Sequence, residues 1–200
     1  MAGYPTISRV SRALQGLLTD ALTVVDPGNP PIAQLSNLKP PPGGQPPVLT
    51  LFLYEITEDA TVRNRGHRRI LETDQQGQPR YRMVKPGMPL VLRYLVTPWA
   101  NDRTTEHLMI GRTLQVLYER QIHRGADLSP ELDLESLSIT LAPLGLEERT
   151  RVWWSIQEPY RLSLNYEARV VDLDVTAGEG EELPPVRERE FAGTMPDGPP

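Results

Sequence analysis

The sequence predicts an α+β fold: a single domain with a mixed or mainly antiparallel sheet covered by helices on one side, an extended basic loop and a C-terminal tail. Three observations predict it. Within Arg149–Asp174, RTRVWWSIQEPYRLSLNYEARVVDLD, the hydrophobic period changes from helical to strictly alternating, the clearest signal in the chain. The runs VLTLFLYEI at 48–56 and LVLRYLV at 90–96 are rich in strand formers and apolar on both faces, as internal strands are. The elements follow one another as helix, weak strand, strand, long loop, strand, helix, strand, helix, long strand, and no repeat is visible.

Taken in order, Thr6 or Ser8 is placed to cap a first helix striped by Ile7, Val10, Leu14, Leu17, Leu18 and Ala21. The turn signal Asp26-Pro27-Gly28 stops it. Ile32 to Leu38 forms a short strand. The chain has 21 prolines in 200 residues, about twice the usual ~5%, and eight of them fall between Asp26 and Pro47. PPPGGQPP at 40–47 lacks the donors of a strand, so it is an ordered or semi-rigid surface loop, with a partner-binding PxxP ligand as the alternative. Asn101 to Arg120 is the best amphipathic helix, capped by Asp102 or Thr104, with Glu106 in its first turn. Leu108, Met109, Leu114, Leu117 and Tyr118 make its apolar face. Leu137, Ile139 and Leu141 alternate with Ser136, Ser138 and Thr140 in a half-buried strand.

In the last helix Leu146, Val152, Trp153 and Ile156 recur about one face apart, and Pro159 disfavours its continuation. From Tyr160 the period is two. Tyr160, Leu162, Leu164, Tyr166, Ala168 and Val170 form a buried face; Arg161, Ser163, Asn165, Glu167 and Arg169 form a wet one. Fourteen such residues would span roughly 46 Å, so a bend, a bulge or a projection is expected.

Composition sets the limits. Cysteine is absent, which excludes disulfides and cysteine-ligated metal. There is no apolar run of eighteen residues and no leader-like N-terminus, so no membrane span is expected and cytoplasmic synthesis is. The net charge of -5 is uneven: residues 177–200 hold six acids against two arginines, leaving -1 for the rest. The expected organisation is a domain over 1–176 followed by an acidic, proline-rich tail over 177–200. An almost neutral body has no general attraction for nucleic acid or anionic lipid.

Residues 61–85 differ. Arg63, Arg65, Arg68, Arg69, Arg80, Arg82 and Lys85 oppose only Glu72 and Asp74, a local charge of +5. A solvated hairpin arm, whose arginines pair with Glu55, Glu58 and Asp59, explains this. So does an electrostatic docking arm for an acidic protein surface. Nucleic acid is disfavoured, because aromatics are sparse in the segment.

Catalytic signatures are missing: there is no G-x-S-x-G, phosphate loop, dinucleotide fingerprint or H-E-x-x-H. His67, His107 and His123 are scattered over a loop, a helix and a helix end. Glu147-Glu148 suits a helix first turn and Glu181-Glu182 a tail, rather than a poised acid–base pair. Trp153 and Trp154 face about 100° apart on a helix, so one belongs to the core and the other to an interface or rim. No catalytic, cofactor or metal residue is assigned.

The runs ISRVSRALQGLL, VLTLFLYEITEDATVRN, PLVLRYLVTPWAND, EHLMIGRTLQVLYERQ, SLSITLAPL and above all EERTRVWWSIQEPYRLSLNYEARVVDLD cover most of residues 4–174. In these the chain resembles the cap, or tail terminator, proteins of contractile injection systems, phage-tail-like particles of the antifeeding-prophage and virulence-cassette type. The resemblance implies a non-enzymatic structural part of the assembled particle: a homohexameric ring on sheath protein and on the inner tube or its terminating protein, without cofactor, small-molecule substrate or membrane. On that reading Arg63, Arg65, Arg68, Arg69, Arg80 and Arg82 dock on acidic sheath or tube, while Trp153, Trp154, Tyr160 and Tyr166 build the body and ring interface. A small adaptor using the basic arm is the alternative, and a hydrolase would need the histidines to converge.

Overall fold

The computed structural model describes residues 5–41, 47–62, 64–73, 79–84, 86–119, 122–123 and 137–173. The elements are α1 (Thr6–Leu22), β1 (Ile32–Leu35), β2 (Val48–Glu58), β3 (Arg68–Thr73), β4 (Pro79–Val84), β5 (Met88–Trp99), α2 (Arg103–Glu119), β6 (Ile122–His123), β7 (Leu137–Leu141), α3 (Leu146–Ser155) and β8 (Leu164–Leu173). Six strands form one sheet in the order β1-β2-β5-β8-β7-β6. Among the described strands only β1 and β2 run parallel, so the sheet is mixed and mainly antiparallel. The fold is therefore the expected α+β domain.

One sheet face is apolar along its length. Leu49 and Leu51 of β2, Leu90, Leu92, Tyr94 and Val96 of β5, and Tyr166, Ala168 and Val170 of β8 pack under Val10, Leu14, Leu18 and Leu22 of α1 and Met109 and Leu117 of α2. Burial pushes the phenols of Tyr94 and Tyr166 up to about 12. Tyr94 shares a 2.8 Å hydrogen bond with Ser11 of α1. Gln15 donates to Ala33 O at 3.1 Å and the Ala33 amide donates to Thr19 Oγ1 at 3.1 Å, which holds the edge strand β1 under α1.

Helices cover both faces, not one. Val152, Trp153 and Ile156 of α3 pack with Leu38, Phe52, Tyr54, Leu95 and Trp99 on the side opposite α1 and α2. The reason lies in β2 and β5, whose second apolar face demands a cover.

Several local expectations change for related reasons. Strand β8 begins at Leu164, so Tyr160 and Leu162 are exposed, while Ser163 and Asn165, assigned to the wet face, are buried. The segment 160–163 is held by side chains rather than by a ladder, and α3 removes water from the supposed wet face. The extra residue expected in this long strand is there: Leu90 pairs with Val170 and Met88 with Leu173, two steps against three. On α2 the buried stripe is Glu106, Met109, Ile110, Thr113, Val116 and Leu117. Leu108 and Tyr118 are exposed. Two polar residues lie on the buried stripe, which turns it away from the most apolar face. Asp102 caps α2, accepting from the Thr105 amide at 2.8 Å. Neither Thr6 nor Ser8 caps α1; the Ser8 hydroxyl donates back to Pro5 O instead.

The long basic loop contains a hairpin. Strands β3 and β4 pair only with each other among the described residues, in a compact unit over Gly66–Pro86. Where the chain leaves the main sheet toward this unit and returns, the Asp59 amide donates to Pro89 O at 2.9 Å. The tail from 177 and residues 42–46 of the proline loop lie outside the described residues.

Helix α3 ends in two reversed hydrogen bonds, Gln157 N–H to Trp154 O at 3.0 Å and Glu158 N–H to Trp153 O at 3.3 Å. This cap holds Gln157 at φ 59, where glycine carries no Cβ penalty. Gln157→Gly is expected to raise stability by about 0.5 kcal/mol, or about 1–2 °C in Tm, after the entropy gained by the unfolded chain. A lower Tm would show that the left-handed residue costs nothing.

Candidate functional site: a buried ion pair over a tryptophan pair, and three exposed surfaces

At the end of the sheet where β5 turns into α2, side chains from four segments converge. Trp99 closes β5, Trp153 comes from α3, and their rings lie 6.4 Å apart with planes inclined by 57°. The Arg161 guanidinium sits 4.3 Å over the Trp99 ring. It also donates to Glu106 Oε1 in the first turn of α2, while Arg103 Nη1 donates to Glu106 Oε2 at 2.6 Å. Glu106 is only 4% exposed, and these two guanidinium groups are its partners in the buried site.

Ser163 ties the cluster together. Its hydroxyl accepts from Thr97 Oγ1 at 3.1 Å and from Trp153 Nε1 at 3.2 Å, and it donates to Arg161 O at 2.9 Å. Arg149 Nη1 donates to Ser163 O at 3.2 Å. Trp99 Nε1 donates to Thr50 Oγ1 at 3.0 Å, whose hydroxyl donates to Thr97 O. The Nε groups of Arg149 and Arg161 are buried without a hydrogen-bond partner. This arrangement carries no nucleophile or base poised for reaction. It is a lock that orients α3 and the entry to β8.

Further along the same face, past α3, the sheet carries charge. Arg93 bridges Glu55 at 2.5 Å and Glu167 at 3.0 Å, and Arg169 bridges Glu167 at 3.3 Å and Asp59 at 3.1 Å. The Thr61 hydroxyl, 2.6 Å from Asp59, is the main cause holding that carboxyl below its ordinary value; Arg169 adds to it. Glu55 and Asp59 thus pair with the body's own Arg93 and Arg169, which bears on the idea that they neutralise the hairpin arm.

The sequence-predicted residues separate. Trp153 and Tyr166 are core, 1% and 4% exposed; Trp154 is 81% exposed and Tyr160 is exposed on the entry to β8. Trp154 shares an open apolar face of α3 with Leu146, beside the Glu147–Arg151 ion pair. A second apolar groove, between α2 and β7, is lined by Leu114, Leu117, Tyr118, Ile139, Leu141 and Tyr166.

The third surface is the hairpin. Pairing of Arg68 with Val84, Ile70 with Arg82 and Glu72 with Arg80 puts Arg68, Arg80 and Arg82 at register positions on one face, and Arg69 on the other. Arg65 lies just before the hairpin and is half-buried. Arg63 lies outside the described residues. Among the described residues no three metal-ligating side chains converge, and no helix is long and apolar enough to cross a membrane. Sequence reasoning missed Trp99, Arg161, Glu106 and Ser163 as one cluster. The signal available was a charged and a polar residue interrupting PYRLSL just after a tryptophan helix.

Residues 9–188 match the model of the Pvc16 N-terminal domain family. The fold is shared with the sheath/tube terminator, in its extended state, of the PVC extracellular contractile injection system: 19% identity, TM-score 0.59, covering 95% of this chain and 64% of that chain. It is shared also with the tube-terminating cap of the anti-feeding prophage: 22% identity, TM-score 0.58, covering 92% of this chain and 60% of that chain. The chain thus spans less than two thirds of the length of either. No curated protein sequence matches it.

Two measurements check the site. Glu106→Gln leaves Arg161 without its counter-charge and is expected to cost about 2–3 kcal/mol, read by denaturant unfolding, whereas Arg103→Ala on the exposed side costs at most about 0.5 kcal/mol. Equal losses would refute the lock. Because the folded-state pKa of Asp59 is depressed, its stabilisation is present above the ordinary aspartate value of 3.8 and is lost as pH falls through the lowered one. Asp59→Asn should therefore show a shallower fall of Tm below about pH 4 than the parent chain; an unchanged slope excludes the assignment.

Proposed function

The chain belongs to the Pvc16 N-terminal domain family, and from that premise we propose that it is the structural core of the cap that ends the sheath and tube of a contractile injection particle. The observation that carries this reading is the fold it shares, across nearly its whole length, with a sheath/tube terminator. The role is non-enzymatic and uses no cofactor. Six copies close into a ring on the distal end of the tail, contacting the last sheath layer and the tube. Polymerisation stops there, and the ring holds sheath to tube while contraction drives the tube forward. Synthesis in the cytoplasm precedes incorporation into the particle, and neither nucleic acid nor a small-molecule substrate takes part.

The described surfaces divide the labour. The buried lock and the apolar core with Trp153 and Tyr166 keep the module rigid. Trp154 and Tyr160, exposed on and after α3, face the neighbouring subunit. The arginine face of the hairpin meets acidic sheath or tube; charge complementarity steers such contacts and fixes partner choice more than it adds affinity.

Deleting the gene in its host, imaging the particles and adding the protein back tests the role. Tails of uncontrolled length, or tubes with missing or detached sheath, are expected and are rescued by the protein; normal capped particles would end the cap reading. Reversing Arg68, Arg80 and Arg82 to glutamate tests the docking face. It is expected to abolish sheath attachment while the monomer still unfolds cooperatively. Unchanged tail length and attachment in that triple variant would remove the hairpin from the interface.

A further inference from the structure

The β1 edge of the sheet poses a physical problem. A strand at the end of a sheet leaves half of its backbone groups unpaired, and such groups template pairing with another chain. In β1 the Ile32 amide donates to Pro47 O at 3.0 Å and the Ser36 amide, just past the strand, to Leu51 O at 3.1 Å, both on the β2 side. By alternation Ala33 and Leu35 turn their amides and carbonyls away from β2. Ile32 and Leu35, both exposed, would add apolar area to any strand that paired there.

Helix α1 supplies what a further strand would. Gln15 and Thr19 stand four residues apart on it, the spacing that stacks side chains on one helix face. Gln15 Nε2 donates to Ala33 O at 3.1 Å, and Thr19 Oγ1 accepts from the Ala33 amide at 3.1 Å. The Thr19 hydroxyl proton is committed to Gln15 O at 2.8 Å, so only its lone pairs face the strand. Gln15 must likewise turn its nitrogen, not its oxygen, toward a carbonyl. One donor and one acceptor thus stand in for the N–H and C=O of a strand residue. Ala33 is buried beneath them. What is left outward on β1 is the pair on Leu35, too short for a ladder.

We propose that Gln15 and Thr19 are edge guards, which keep β1 of one copy from pairing with β1 of a second copy. Two such edges related by a twofold axis would run antiparallel and fuse their sheets, in an isologous contact that uses the same strand of both chains. The guard divides that edge at its middle. An incoming strand has to break both side-chain bonds before its first backbone bond to Ala33 can form. Contacts between copies at this end of the sheet are therefore left to side chains. The device belongs to the isolated chain and rests on no part of the cap reading.

Amide hydrogen exchange on the full chain, read by NMR, tests the guard without any variant. The Ala33 amide is expected to exchange at least about tenfold more slowly than the Leu35 amide, although both face outward. Equal rates overturn the proposal. Gln15→Met combined with Thr19→Val keeps the side-chain volumes and removes the donor and the acceptor. This double variant is expected to lose the Ala33 protection and to sediment with a larger dimer fraction than the parent chain at equal concentration. Adding Leu35→Lys, a charge on the opened edge, should return the parent's mass distribution. Thr19→Ser, which keeps the hydroxyl, should behave as the parent. A double variant that loses the protection yet sediments as the parent does overturns the proposal, and so does a dimer that Leu35→Lys leaves intact. Because no particle is involved, failure here leaves the cap reading standing, and failure of the gene deletion leaves the guard standing.

Discussion

The ion pair between Arg161 and Glu106, laid across the indole of Trp99, is the interaction on which the placement of the helices depends. Glu106 belongs to α2, which covers one face of the sheet; Trp99 and Trp153 belong to the other. Arg161 reaches from the entry to β8 and joins the two layers where β5 becomes α2. Bringing two charges out of water is costly, and the buried, unpartnered Nε of Arg161 adds to the cost. What is gained is direction. Apolar contact alone would let α3 slide on the flat face of β5, whereas an indole N–H, a hydroxyl and a guanidinium each accept one geometry.

That lock explains why the two sheet faces have different characters. The face under α1 and α2 is dry from Leu49 to Val170. The other is dry only under α3; past it the row Glu55, Arg93, Glu167, Arg169 and Asp59 satisfies its own charges across three strands. Arg93 is held above its ordinary pKa chiefly by its hydrogen bond to the Glu55 carboxylate. A sheet with one apolar and one divided face has a single register that satisfies both, because a slip of one residue would bring Arg93 into the position of Leu92.

The sheet, the order of its elements and the α+β class were legible because period-two and period-3.6 patterns report burial directly. Val48–Glu58, Met88–Trp99 and the Asp102 cap fall close to where the sequence puts them. What was not legible depended on contacts between distant segments. Ser163 looks solvated when only its alternation is considered, and its burial follows from Thr97 and Trp153, 66 and 10 residues away. Tyr118 looks buried on a helical wheel and is exposed, because Glu106 and Thr113 take the inward stripe. Of the candidate site, the core-and-rim division of Trp153 and Trp154 followed from helix geometry, while the separation of Arg69 from Arg68, Arg80 and Arg82 needed the strand register.

The manner in which the hairpin enters the domain has its own consequence. It is inserted between β2 and β5, adjacent antiparallel strands whose ends are already closed by the Asp59–Pro89 hydrogen bond. The body therefore sees only a loop whose two ends meet. Doubling the length of such a loop costs only about 0.6 kcal/mol of closure entropy. Natural variation can lengthen or shorten this insertion with little penalty to the core.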